Sequence, residues 1–197
     1  MGEQQQEEAQ GVGARARRML KDSGRFLLAG VRAALADGHR LDFAEVLDAW
    51  VARGGGLERR EVDLARLAAE ALTRASRTSA ELGVDLLVER GQEAIPSAVD
   101  ETPLAAALEA VVDRLVRLQG QGAALRARCA AGPEGPSVTL TVIAAPDAGQ
   151  GRTPLTVALE VEDPTYACAR DVVTAHGGAL TVEDGPVGGG VVRIVLT

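Results

Sequence analysis

The 197-residue chain contains no asparagine, and aromatic residues make up only 2% of it. Phe26, Phe43, Trp50 and Tyr166 are its only phenylalanine, tryptophan and tyrosine rings. Base-stacking platforms for single-stranded nucleic acid therefore lack material. An excess of positive charge is missing as well. The formal net charge is -7, which disfavours a phosphate-backbone binder, because such binding draws on clustered Lys and Arg. Only two cysteines occur, Cys129 and Cys168. They have no paired spacing and no charged-then-apolar leader before them, so neither a disulfide framework nor secretion is expected. No apolar run approaches the roughly 20 residues of a membrane helix. The expectation is a soluble, cytoplasmic protein with neither nucleic acid nor membrane as partner.

What is present is a large aliphatic share: 46% of residues are apolar, so the core must come from Ala, Val and Leu. The opening residues 1–13, polar and rich in Gln and Glu, have nothing to bury and read as a tail. From Ala14 to Ala36, Leu20, Leu27, Val31 and Leu35 recur at helical spacing. After "ADGHR", a second apolar set of Phe43, Val46, Leu47, Trp50 and Val51 follows the same period and stops at Gly54 to Gly56. Residues 14–56 thus read as an antiparallel helical hairpin. Its broad apolar face must either dock on the rest of the chain or pair with a second copy. Pairing, as a four-helix bundle in a homodimer, is the favoured expectation.

Residues 57–197 have a different texture. Val62 to Ala80 carries a helical pattern, Gly83 to Arg90 a strand, and Thr102 to Leu118 a second helix. "ALRARCAAG" and "SVTLTVIAA" alternate apolar and polar positions around the turn signal "GPEGP", as an antiparallel hairpin does. "LTVALEVED" reads as a further strand, "CARDVVTAH" as the third helix, and "GALTVED" with "GVVRIVLT" as two closing strands. The predicted fold class is α+β, a sandwich with antiparallel strands and helices on one face.

Three stretches carry a family resemblance. "REVDLARLAAEALTRASRTSAELGVDLLVE", "VDETPLAAALEAVVDRL" and "ARDVVTAHGGALTVEDGPVGGGVVRIVLT" resemble the ATP-binding domain of sensor histidine kinases, of the Bergerat (GHKL) type. With the hairpin, the resemblance covers about Phe26 to Thr197. It implies a dimerisation hairpin at 14–56 and an HATPase-like domain at 57–197.

The resemblance also implies a pocket, and there the chain departs from the pattern. Ala110 and Arg114 stand where the family has Asn ligands for Mg²⁺. Neither a methyl nor a guanidinium supplies the oxygen that magnesium requires. Glu109 and Asp113 are neighbouring carboxylates displaced from those positions. "DAGQG", Asp147 to Gly151, matches the adenine-reading box literally, yet strand alternation through Val138, Leu140 and Val142 brings Ala144 to the acidic position, with Pro146 beyond it. Asp163, Pro164, Thr165 and Tyr166 replace the glycine-rich phosphate turn. Only eleven residues separate Gly151 from Asp163, too few for the family's lid.

Individual residues receive plain readings. His176 in "AHGG" is structural, its glycines ending a helix. His39 is the other histidine and hence the other candidate phosphoacceptor; it falls in a turn, while Arg32 occupies the family's acceptor position. Arg15, Arg17, Arg18, Lys21 and Arg25 form a solvated helix face, and no metal set surrounds Cys129 or Cys168. No catalytic, cofactor-binding or metal-binding residue is assigned, and no cofactor is expected. The expected function is that of a histidine-kinase-like pseudokinase docking onto a response regulator, a kinase or another signalling protein. The alternatives are a histidine phosphotransferase and a binder of some small ligand in the vacated pocket.

Overall fold

The computed structural model describes residues 41–89, 94–145, 153–161, 163–185 and 188–197. The tail, the first hairpin helix with its basic residues, His39 and the segment from Asp147 to Gly151 lie outside the described residues.

The second hairpin helix, α1 (Leu41–Ala52), ends as expected at the glycine run. Phe43, Leu47 and Trp50, one face at spacings of four and three, are buried. They join the core of the same chain through packing against a later helix.

Strand β1 (Arg60–Asp63) follows, and then helix α2 (Leu64–Leu82). The sequence pattern places Val62 and Asp63 within the helix, whereas the backbone there is extended. Asp63 is the reason. Its carboxylate caps α2 by accepting the Ala65 N–H at 3.0 Å, and it also accepts the Ile95 N–H at 3.0 Å, which draws a second segment alongside. That segment, β3 (Pro96–Val99), pairs antiparallel with β1 as a separate two-stranded sheet. Neither short strand is legible from composition.

The main sheet has five strands. In order across it stand β2 (Asp85–Glu89), β4 (Ala124–Gly132), β5 (Gly135–Ile143), β7 (Gly190–Val195) and β6 (Ala179–Asp184). The expected β4–β5 hairpin is present, with Gly132 opposite Gly135. One expectation needs correction: the sheet is mixed, because β2 pairs parallel with β4. A parallel neighbour requires a crossover, and helix α3 (Glu101–Leu118) supplies it. Helix α4 (Pro164–Ala175) then leads into the β6–β7 hairpin.

Leu125, Ala127, Val138, Leu140, Val142, Leu180, Val182, Val192 and Ile194 all point to the buried face. The opposite face carries Arg126, Arg128, Thr181 and Arg193, all exposed. This period-2 separation fixes the register, since a slip of one residue would turn the apolar set to solvent. α3 lies between α2 and α4, with α1 packed on it from a further side. Leu104, Leu108 and Leu115 of α3 are at most 1% exposed, each worth about 2 kcal/mol of burial. The helical layer depends on that stripe. The fold is therefore α+β, with helices gathered on one face of the main sheet.

The segment read as a strand in "LTVALEVED" is helical instead. It forms a short turn with π-helical geometry at Val157–Val161. Asp184 at the end of β6 accepts both the N–H and the hydroxyl of Thr156, at 3.0 and 2.6 Å. The Ala158 N–H then donates to the Pro154 carbonyl at 3.0 Å, which bends the chain. Leu155, Ala158 and Leu159 are thereby buried on one side while Val161 is 76% exposed.

The "AHGG" turn is structural. Gly177 has φ 83°, and a Cβ on Gly178 would run into the Val195 carbonyl. His176 is 1% exposed. Its Nε2 accepts the Asp100 N–H at 3.1 Å, so the ring proton sits on Nδ1 and is donated to the Val172 carbonyl at 2.8 Å. One imidazole thus ties the end of α4 to the start of α3. His176→Ala should leave the Asp100 N–H unsatisfied beside a new cavity. Urea unfolding is expected to register a loss of about 3 kcal/mol.

Candidate functional site

The candidate site lies between the middle of α3 and the start of α4. A helix start presents unpaired N–H groups and the positive end of its dipole, so it is a ready anion site. In α4 this site is filled from within the chain. Asp163 is the N-cap residue, and its Oδ1 accepts the N–H of Thr165 at 2.7 Å and of Tyr166 at 3.0 Å. Pro164, in the first turn, has no N–H to offer. The sequence signal is Asp-Pro directly before an apolar helical pattern.

The second carboxylate oxygen of Asp163 is paired with Arg114, which reaches across from α3. The Asp163 side chain is 5% exposed and that of Arg114 27%. Burying a carboxylate is costly unless hydrogen bonds and a counter-charge accompany it. Asp163 has the two amides and the guanidinium. The pair therefore brings together two residues that the sequence marks only as separate departures from a pattern.

Tyr166 is part of the buried core. It is 1% exposed, and its hydroxyl has no hydrogen-bond partner among the described residues. Burial pushes its phenol up to about 12, with Glu160 adding to the rise and Arg170 opposing it. Cys168, one turn into α4, is also buried, and its thiol is pushed up to about 11 by burial first and then by Asp171 and Asp163. Burial raises the Cys129 thiol of β4 to about 11 too, with Asp63 contributing. Both cysteines are protonated thiols at neutral pH and poor nucleophiles.

The other sequence candidates are placed as follows. Ala110 lies on α3, half-buried and packed against the core. Glu109 pairs with Arg74 of α2, and Asp113 with Arg117 at 2.7 Å, so both carboxylates are engaged at the helix surface. β5 ends at Ile143; Ala144 is half-buried and Ala145 buried. His176 is held in the core by backbone groups on both ring nitrogens.

The fit to a magnesium–nucleotide complex follows from these contacts. The amides that could cradle a phosphate already donate to Asp163, and the counter-charge beside it is the Arg114 guanidinium rather than a metal. These residues do not fit the group.

No family model matches the chain, and no curated protein matches it. Solved structures do. The cytoplasmic segment of histidine kinase QseC superposes with a TM-score of 0.58 at 12% identity, covering 78% of this chain and 91% of that one. A histidine kinase from Burkholderia phymatum STM815 gives 0.56 at 17% identity, covering 95% and 92%. The mycobacterial sensor histidine kinase MprB gives 0.53 at 20%, covering 70% and 97%. The chain therefore has the fold of histidine kinase ATP-binding domains. Among the described residues no helix is long and apolar enough to cross a membrane.

The raised values of Cys129, Cys168 and Tyr166 set an alkaline limit on stability. Unfolded cysteine and tyrosine ionise near ~8.5 and ~10, below the folded values of about 11 and about 12. The folded chain thus holds protons that the unfolded chain loses, and stability falls as pH rises through that interval. Urea midpoints are expected to be level up to about pH 8.5 and to decline above it. Cys129→Ala with Cys168→Ala should delay the decline toward the tyrosine range.

Proposed function

We propose that this chain is a non-catalytic signalling protein built on a histidine kinase fold, acting by protein–protein docking and without binding ATP. The observation that carries the reading is the Asp163 carboxylate, held by the Thr165 and Tyr166 amides and paired with Arg114. Phosphoryl transfer relies on metal ions and aimed donors for nearly all of its catalysis. Here the donors are spent on a side chain of the protein itself, whose other carboxylate oxygen is already paired with Arg114.

What remains is a stable scaffold with surfaces. Its partners are signalling proteins, such as a response regulator or a true kinase, and a second copy through the hairpin of residues 14–56. Phosphotransfer is the less favoured reading. With both nitrogens of His176 engaged in the core, the acceptor would have to be His39. A small ligand in the vacated pocket is the weaker of the two alternatives.

Isothermal titration with Mg-ATP tests the proposal. No saturable heat is expected up to millimolar nucleotide, and micromolar saturation would reject it. Incubation with a phosphorylated receiver domain separates the phosphotransfer reading: label on the wild type that is lost in His39→Ala would establish that reading instead.

A further inference from the structure

The main sheet has two edges, and they are finished differently. β6, at one edge, buries Leu180 and Val182 and turns Ala179, Thr181, Glu183 and Asp184 to solvent. β2, at the other, exposes two large apolar side chains in succession, Leu87 at 43% and Val88 at 46%, while Leu86 packs at the border of the core. Successive residues of a strand point to opposite faces. β2 is therefore apolar and open on both sides of the sheet.

Its backbone is open as well. The Asp85 N–H donates to the Ala123 carbonyl at 2.9 Å, and β2 runs parallel to β4 with Asp85 opposite Ala124. In a ladder of this kind, alternate residues bond to the one neighbour. Asp85, Leu87 and Glu89 thus face β4, and the N–H and C=O groups of Leu86 and Val88 lie along the free edge. Among the described residues no strand pairs with that edge.

An acidic residue stands at each end of it. Glu89 pairs with Arg126 at 3.3 Å, the two side chains 45% and 44% exposed. Asp85 is exposed and has no ion pair among the described residues. These charges decide what can pair here. Antiparallel pairing with β2 of a second copy, centred on Leu87, sets Asp85 against Glu89 twice, and pairing with β6 of a second copy brings both acids to Glu183 and Asp184. Like charges facing each other across strands are destabilising, and charged edges suppress self-pairing. A row of unpaired main-chain donors and acceptors suits another main chain, and the two carboxylates suit basic residues on either side of an apolar centre.

We propose that β2 is a docking edge for an extended segment of a partner protein, basic at both ends and apolar between, which joins the main sheet as a further strand. Running antiparallel to β2, it sets Lys or Arg against Asp85 and Glu89 and an apolar side chain against Leu87. This rests on the docking reading above and names its surface.

The probe is the end-blocked peptide Thr-Lys-Val-Ile-Val-Lys-Thr, added to the full-length chain, with amide hydrogen exchange at Leu86 and Val88 followed by nuclear magnetic resonance. Saturating peptide is expected to slow both amides about tenfold. The same peptide with Glu in place of both Lys should bind about tenfold more weakly, and Asp85→Lys with Glu89→Lys should reverse the preference. Val88→Pro takes away an edge N–H and no β4 bond, so it should abolish binding; if that variant fails to fold, the charge reversal still carries the test.

Unprotected amides at millimolar peptide, or a preference that survives the charge reversal, would overturn the proposal and leave docking to another surface. Two further results would overturn it as well: amides already slow in the free chain, which would show the edge covered by the chain itself, and a dimer in sedimentation velocity that Val88→Pro dissolves, which would place a second copy there. Peptide protection that persists beside micromolar Mg-ATP binding would support the edge while rejecting the non-catalytic reading.

Discussion

A carboxylate bonded to the first amides of a helix is an ordinary N-cap, worth about 1 kcal/mol. What gives the Asp163 cap its weight is where it sits. The start of a helix presents N–H groups at the positive end of its dipole, an arrangement that suits an anion. Asp163 brings a negative charge that cannot diffuse away, oriented by two amides and neutralised by Arg114. An external phosphate must displace a group that is tethered and already paired. The competition is intramolecular, and the tethered group has the advantage. Pro164, in the first turn, offers no donor.

The scaffold does not depend on an occupied pocket. Its stability comes from the alternating strand faces, the leucine stripe of α3 and the tie through His176 between α3 and α4. These elements lie beneath the helical layer or at its far end. Arg114 and Asp163 even add a link between α3 and α4. α1 is a different kind of element, since its one apolar face is buried on α3 next to a glycine joint.

Much of this was legible in the sequence, for identifiable reasons. The strands β4, β5, β6 and β7 alternate over most of their length because one face is buried and the other wet, and α3 announces itself by Leu104, Leu108, Val111 and Leu115. Where two periods fitted, the reading failed. Leu155, Val157, Leu159 and Val161 alternate like a strand, while Leu155, Ala158 and Leu159 also share a helical face. The decision lay with Asp184, a distant residue that anchors Thr156. Likewise β1 and β3 are four residues each and owe their pairing to Asp63. Arg114 and Asp163 could each be recognised as departures from a pattern. That they meet depends on how α3 packs against α4, which no local spacing encodes. The docking of α1 on its own chain was one of two outcomes its apolar face allowed.

The central claim is that the amides at the start of α4 belong to Asp163. Their nuclear magnetic resonance signals, assigned for Thr165 and Tyr166 and followed during titration with Mg-ATP, test it most directly. The account predicts that both stay in place to millimolar nucleotide. Saturable movement of these two amides, together with broadening of the Arg114 side-chain signal, would show phosphate taking the place of the carboxylate and would contradict it.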